Sequence, residues 1–436
     1  MNFDSMLWGV PFFGIILSMS FLPLISPKFW EKYSGYVPLG WTLLYLTAIG
    51  FSFGIAEVGK AFAKPLIDDY VSFIVQIATL YIVAGGIYIN FPSGKGPAFN
   101  TIFLFFGAIL AGWIGTTGAS MLLIRPFLRV NTKRQHKVHL MIFFILLVAN
   151  IGGAATPLGD PPLFIGFLKG IDFFWFIRHL YPILFGTIAT LCAMFYAIDT
   201  YLFKKETGHF DISQDDASFS IKGIKNLLLL MLILLVVILC QFPEKFSLFG
   251  DEYLYSSLIR NCLLIGIAAC SIKITHKNIR EANGFTLAPI REIAEFFIAM
   301  FVTVSPLLVI LAQGKDGAFA PIFEWIAPNG TYSLIKCFWV SGLLSSFLDN
   351  APTFLVLFHL TSGNAQELMT VKSAILSAFS ISTVFMGALT YIGNAPNLMI
   401  RSISESYGIK VPSFLGYIKW SAGILIPIFI IISVVL

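Results

Sequence analysis

Apolar positions run along this chain in long blocks, and blocks of roughly 17–25 residues are what a helix needs to span a bilayer. They occupy 7–25, 38–56, 71–91, 175–198, 226–242, 256–272, 293–313 and 414–436, and two more, 138–170 and 370–406, are interrupted in the middle. The interruptions carry nearly the same text. GAATPLGDPP at 153–162 and GALTYIGNAP at 387–396 place Gly, Ala, Thr, Gly and Pro at identical offsets. Such segments break a helix, because Pro removes a backbone donor and Gly is a weak helix former. Broken backbone at membrane depth is tolerated only where protein or a water-filled cavity shelters it, so both breaks are expected to face a site or a packed interior.

Composition agrees with the block pattern: 57% of residues are apolar and only 12% charged, with a mean hydropathy of +0.84, far outside the soluble range. The N-terminus, MNFD, carries an acid where a secretory leader has basic residues, and it reads as the start of a spanning helix. Five cysteines without paired spacing read as packing residues. His136 and His139, within RVNTKRQHKVH, read as part of a solvated loop in preference to a metal site. The stretches 204–225 and 273–291 read as a linker and a basic loop without the aromatic interleaving that nucleic acid would call for.

Lys and Arg accumulate on the cytoplasmic side of membrane proteins. If 98–113 and 118–128 form a re-entrant hairpin, and 332–347 with 352–362 a second from the opposite face, the basic residues divide 19 inside to 9 outside, together all 28. That division supports about ten crossings with both termini outside. The expected fold is an all-α integral membrane protein of two inverted repeats, each with a re-entrant hairpin and a broken transmembrane helix. Its parts are an N-terminal helix (1–36), a first repeat (37–198), a linker plus connecting helix (199–253) and a second repeat (254–436). The repeated decapeptide is then one helix break used twice. Discontinuous helices in inverted halves are the build of secondary transporters, with sites near the midplane.

Each half contributes one acid at a break. Asp160 stands where an N-cap belongs, ahead of Pro161 and Pro162, and Asn394 fills the same slot before Pro396. Aligning TTGASMLLI (116–124) with LDNAPTFLV (348–356) puts Thr117 opposite Asp349. Capping alone would not require a charge at membrane depth, which costs roughly 2.5–3.5 kcal/mol. Gly153, Gly159, Gly387 and Gly393 belong to the breaks themselves. Oxygens from Thr117, Thr156, Thr390, Asn150, Asn350 and Asn394 could join Asp160 and Asp349 around a hard cation. Glu295 reads as a water-facing residue near a helix end.

NIGGAATPLGDPP, SSFLDNAPT and YIGNAPN resemble the signature segments of the ion-transporter superfamily of arsenite, citrate, dicarboxylate and NhaD-type carriers, with the NhaD-like and citrate branch the most similar. The resemblance implies a homodimer of scaffold and transport domains, a site between two hairpin tips and two breaks, and an elevator-like movement. The tips read TTGAS and LDNAP where dicarboxylate carriers of the superfamily show Ser-Asn-Thr. The expectation is a sodium/proton antiporter of a cell inner membrane, with sodium and protons as the transported or coupling ions and no cofactor. The alternative is cation-coupled transport of an organic anion such as citrate. No nucleophile and base pair or phosphate loop suggests an enzyme.

Overall fold

The structure, a computed structural model, describes all residues except 1, 2, 4, 93, 94, 207–218, 243, 249, 250, 314–316, 318 and 319. Much of the expected 204–225 linker therefore lies outside the described residues. The helices of the first half are α1 (Val10–Ile25), α2 (Pro27–Tyr33), α3 (Tyr36–Phe53), α4 (Ile55–Pro65), α5 (Val71–Ala84), α6 (Pro97–Ile114), α7 (Thr116–Val130), α8 (Val138–Leu147), α9 (Pro161–Leu168) and α10 (Phe173–Lys205). There follow α11 (Lys225–Leu239), α12 (Tyr255–Ile274), α13 (Lys277–Ala282), α14 (Ala288–Ala312), α15 (Ala320–Ile326), α16 (Leu334–Leu348), α17 (Asn350–Thr361), α18 (Ala365–Met369), α19 (Ser373–Met386), α20 (Ala395–Ser406) and α21 (Phe414–Val435). Two short antiparallel ribbons, Tyr88–Asn90 with Ser220–Lys222 and Lys245–Leu248 with Asp251–Leu254, tie helix ends together.

The protein is all-α and multi-spanning, with eight helices among the described residues long and apolar enough to cross a membrane. One of the eight is Pro97–Ile114, which the sequence assigns to a hairpin arm. Three of the ten expected crossings are not among them. The blocks at 71–91 and 226–242 give regular helices of only 14 and 15 residues, and at 1.5 Å per residue the longer covers about 22 Å. The third, 370–406, is the broken one. α11 shows why the surface must meet lipid: Leu228, Met231 and Leu239 are 71%, 67% and 65% exposed while Ile233 and Val237 on the other side are buried. An apolar outer face of that size is unstable against water.

The two hairpins turn in the same unusual backbone conformation. α6 and α7 meet at Gly115 (φ 83°, ψ 145°), and α16 and α17 meet at Asp349 (φ 71°, ψ 151°). In each half a threonine of the break is tied to the hairpin: the Thr156 hydroxyl donates to the Gly112 carbonyl and the Thr390 hydroxyl to the Ser346 carbonyl, both at 2.5 Å. A side chain on Gly159 would overlap the Gly153 carbonyl, and one on Gly393 the Gly387 carbonyl, so both breaks need glycine there. These pairs share one offset, and it corrects the hairpin register. Asp349 corresponds to Gly115, and Asn350 to Thr116, two residues from the alignment that set Asp349 against Thr117. The sequence comparison missed it because TTGAS and LDNAP share only one alanine in the register it chose.

The basic run at 129–137 is less solvated than its composition predicts. Arg134 is buried, its Nη2 2.6 Å from Asp199 Oδ1 and its Nε 3.0 Å from Glu206 Oε1. His139, expected in a solvated loop, is buried at the start of α8 with Nε2 2.9 Å from Asp199 Oδ1, and Asn100 donates to Asp199 Oδ2 at 3.0 Å. Asp199 thus gathers α6, α8, α10 and the loop between α7 and α8. Replacing it with leucine strands several buried donors, each costing about 1–3 kcal/mol, so thermal unfolding in detergent should occur well below the wild-type temperature. An unchanged midpoint would show that the network adds nothing. Of the cysteines, Cys192, Cys240 and Cys337 are buried as packing residues, while Cys262 and Cys270 are exposed.

Candidate functional site

Four helices begin within one polar cluster: α7 at Thr116, α9 at Pro161, α17 at Asn350 and α20 at Ala395. Their starts are fixed by the hairpin turns and by the prolines after Asp160 and Asn394, which suit a first helical turn and cannot extend a helix backward. Asp160, 2% exposed, lies at the centre. Its Oδ1 accepts from the Thr116 hydroxyl at 2.8 Å and from Asn394 Nδ2 at 3.2 Å, and its Oδ2 accepts from Asn350 Nδ2 at 2.6 Å. One carboxylate therefore joins both hairpin tips and the second break. It makes no side-chain capping bond to α9, and neither does Asn394 to α20. The N-cap position was legible in the sequence; the use of the side chain across the two halves was not.

Asn150 and Asn394 extend the network. Asn394 Nδ2 also reaches the Ala149 carbonyl at 3.1 Å and Asn150 Oδ1 at 3.2 Å, while Asn150 Nδ2 donates to Asn397 Oδ1 at 2.8 Å. Asn397 in turn holds the second break through the Gly387 and Thr390 carbonyls, each at 2.9 Å. Thr156 and Thr390 are spent on hairpin carbonyls, and their oxygens also accept from Leu158 N and Gly393 N. They hold the breaks in shape. Gly153 packs against Thr116 and Asp160, and Gly387 against Asn350.

Asp349, 6% exposed, does cap its helix, accepting from Ala351 N at 3.3 Å. It is the one non-glycine residue with positive φ among the described residues. Its φ and ψ fall in a region that is nearly exclusive to glycine and costs on the order of 1–3 kcal/mol otherwise. Strain and a buried acid coincide at one residue. Glu295, by contrast, is a surface partner of Arg291 at 2.7 Å, as a water-facing residue should be.

Two cavities adjoin the cluster. The smaller, about 30 Å³, is walled by Gln76, Gly115, Thr116, Thr117, Asp160 and Pro161. The larger, about 350 Å³, is bordered by Thr117, Asp349 and Pro396 and by Arg125, Glu292 and Ser402. Thr117 stands at both, so its place in the site differs from the one the alignment gave it. Arg125 is a residue the sequence reading passed over. It lies within the basic end of a hairpin arm, where composition suggests only topology, yet it is half-buried with a hydrogen bond to the Met121 sulfur at 3.4 Å.

Each helix N-terminus carries roughly half a positive charge. Four together supply about +2, enough to offset Asp160 and Asp349, and the larger cavity adds one cation, Arg125, and one further acid, Glu292. The cluster is close to neutral when empty of ions. A bound cation then leaves it with a positive excess, and the oxygen-rich lining suits a hard ion.

A family model described as "Putative citrate transport" matches residues 2–436. The chain is also similar to a "46 kDa membrane protein" of Mycobacterium leprae (strain TN), 22% identical over 276 residues, which cover 61% of this chain and 60% of that protein. The match thus spans less than two thirds of the relative's length.

Proposed function

We propose a function from the premise that this chain belongs to the citrate-transport family: it is a secondary transporter that carries an organic anion such as citrate together with a coupling cation. The observation that carries this reading is the division of the site into two cavities of unequal size. About 350 Å³ lies within the range of small-molecule pockets, roughly 300–1,000 Å³; about 30 Å³ holds little more than one water or one bare ion. The near-neutral balance of charges couples the two ions reciprocally. A cation added beside Asp160 favours an anion next to Arg125, and the anion in turn favours the cation.

Sodium/proton antiport, the first expectation, has sodium and protons compete for Asp160 and Asp349 and needs no cavity of about 350 Å³. The family description and the size of the larger cavity favour the organic anion, with Arg125 the cationic group on a wall that also carries Asp349 and Glu292. The repeats are read as inverted, with α6–α7 and α16–α17 re-entrant from opposite faces of a bacterial-type inner membrane. Contacts between residues of like assignment support that reading: Lys169 with Asp69 at 2.8 Å on the outer side, and Arg129 with Tyr88 at 3.0 Å on the inner. A homodimer with an elevator-like movement of the hairpins and breaks belongs to the same proposal.

The test is counterflow of labelled citrate in proteoliposomes, with sodium, lithium and pH varied. Citrate exchange that rises with one of the cations is expected. Arg125→Gln should raise the half-saturating citrate concentration at least tenfold, and Arg125→Lys less, since a guanidinium binds a carboxylate through two parallel bonds and an ammonium does not. Sodium-driven proton movement that citrate neither requires nor alters would move the reading to antiport.

A further inference from the structure

Gln76 lies on α5, outside both hairpins and both breaks, yet its side chain walls the same small cavity as Asp160, Thr116 and Thr117. It is 1% exposed, and neither its Nε2 nor its Oε1 has a hydrogen-bond partner. A buried amide with both ends unpaired is rare in a folded protein and calls for a ligand. The cavity limits what that ligand is. At about 30 Å³ it excludes an organic anion and admits a particle the size of one water.

Asp160 narrows the choice further. An ionised carboxylate has about four lone-pair directions, and three are used by Thr116, Asn394 and Asn350. One stays open, on Oδ2. Asp160 with a lone pair to spare, Gln76 with an unpaired amide oxygen, Thr116 and Thr117 wall one small cavity, a hard-oxygen set without sulfur or imidazole, the set that alkali cations take. We propose that Gln76, through Oε1, is a ligand of a dehydrated alkali cation held against Asp160, so that α5 completes a site that the hairpins and breaks leave unfinished. The inference deepens the proposed function, on which it rests for the role of the ion. It makes ion binding depend on α5 being docked against the hairpin tip: separation of the two surfaces removes a ligand.

The test uses the purified full chain in detergent, with binding of radioactive sodium and cation titrations of the thermal unfolding temperature. For the wild type, sodium should raise that temperature saturably and potassium much less. Gln76→Leu, close in volume but without oxygen, should raise the half-saturating sodium concentration at least tenfold while its unfolding temperature without sodium equals or exceeds that of the wild type. A glutamine of purely structural value would lose stability instead. Gln76→Glu keeps the oxygen and should bind sodium within about threefold of the wild type or more tightly.

Unchanged sodium dependence in Gln76→Leu, or no sodium effect on the wild type, overturns the proposal. Should the leucine variant fail to fold, Gln76→Glu decides: an unaltered sodium-to-lithium preference also overturns it. Citrate counterflow run in parallel keeps the two readings apart. Exchange by a wild type that shows no sodium binding removes Gln76 as a ligand and leaves the proposed function standing; sodium binding lost in Gln76→Leu, in a protein that exchanges no citrate, does the reverse.

Discussion

Asp349→Gly is expected to give a protein at least as stable as the wild type that no longer transports. Asp349 holds a backbone conformation that its counterpart in the first hairpin assigns to Gly115, and a non-glycine residue there carries strain of about 1–3 kcal/mol. Glycine relieves the strain and removes a buried charge. It forfeits the bond from Ala351 N and some unfolded-state restriction, the latter worth about 0.5–1 kcal/mol. Asp349→Ala keeps the strain and loses the bond, so the glycine variant, after its entropic cost is subtracted, should be more stable than the alanine variant by up to about 2.5 kcal/mol in thermal or denaturant unfolding. Both should lose citrate uptake at least a hundredfold in proteoliposomes, about 2.7 kcal/mol at the transport barrier. Near-normal uptake by the glycine variant would reduce Asp349 to a helix cap.

Asp160→Asn should fold and fail to transport, by a comparable factor. An amide in place of the carboxylate turns one acceptor into a donor, and the network can absorb the change on one side only. If the new amide group faces Asn350, the Asn350 side chain can reverse, presenting its oxygen to residue 160 and its amino group to Ser345. The Ser345 hydroxyl lies 2.7 Å from Asn350 Oδ1 and 2.5 Å from the Thr383 carbonyl with one proton to give, and after the reversal it accepts from the Asn350 amino group and donates to the Thr383 carbonyl. Stability should therefore fall by no more than about 1 kcal/mol, the worth of one ordinary hydrogen bond. Asp160→Leu has no such remedy; it leaves the Thr116 hydroxyl and the Asn350 amino group as buried orphan donors at about 1–3 kcal/mol each, while Asn394 keeps the Ala149 carbonyl and Asn150 Oδ1. A folded Asp160→Asn protein with wild-type cation dependence would end the ligand role of Asp160.

The apolar blocks and the repeated decapeptide disclose the helices and the breaks because both are local: a spanning block needs only length and hydropathy, and a Gly and Pro interruption stops a helix wherever the rest of the chain goes. Asp160 and Asn394 were legible for the same reason, each preceding the proline that starts a half-helix. The hairpin register was not. Gly115 and Asp349 share a conformation and not a side chain, so the equivalence lives in φ and ψ, which letters do not print. Thr116 was passed over for Thr117 by that slip. Gln76 and Arg125 were invisible for another reason, since their part in the site comes from packing between segments far apart in the chain, and in their own helices they are one polar residue among apolar neighbours.

The bonds from Asn350 and Asn394 to Asp160 have a consequence for how the protein is made. Asp160 leaves the ribosome 234 residues ahead of Asn394. At about 5–20 residues per second, that is roughly 10–50 s during which the acid lacks at least one of its three final donors, Asn350 following it by 190 residues and Asn394 coming last. Over that interval the first break cannot settle into lipid as a finished unit and must keep contact with water, a membrane insertase or the translocation channel. Completion of the membrane-embedded core therefore waits for the last fifth of the chain, and truncations that end before Asn394 should be held at the insertion machinery or degraded, even though most of their spanning helices are already present.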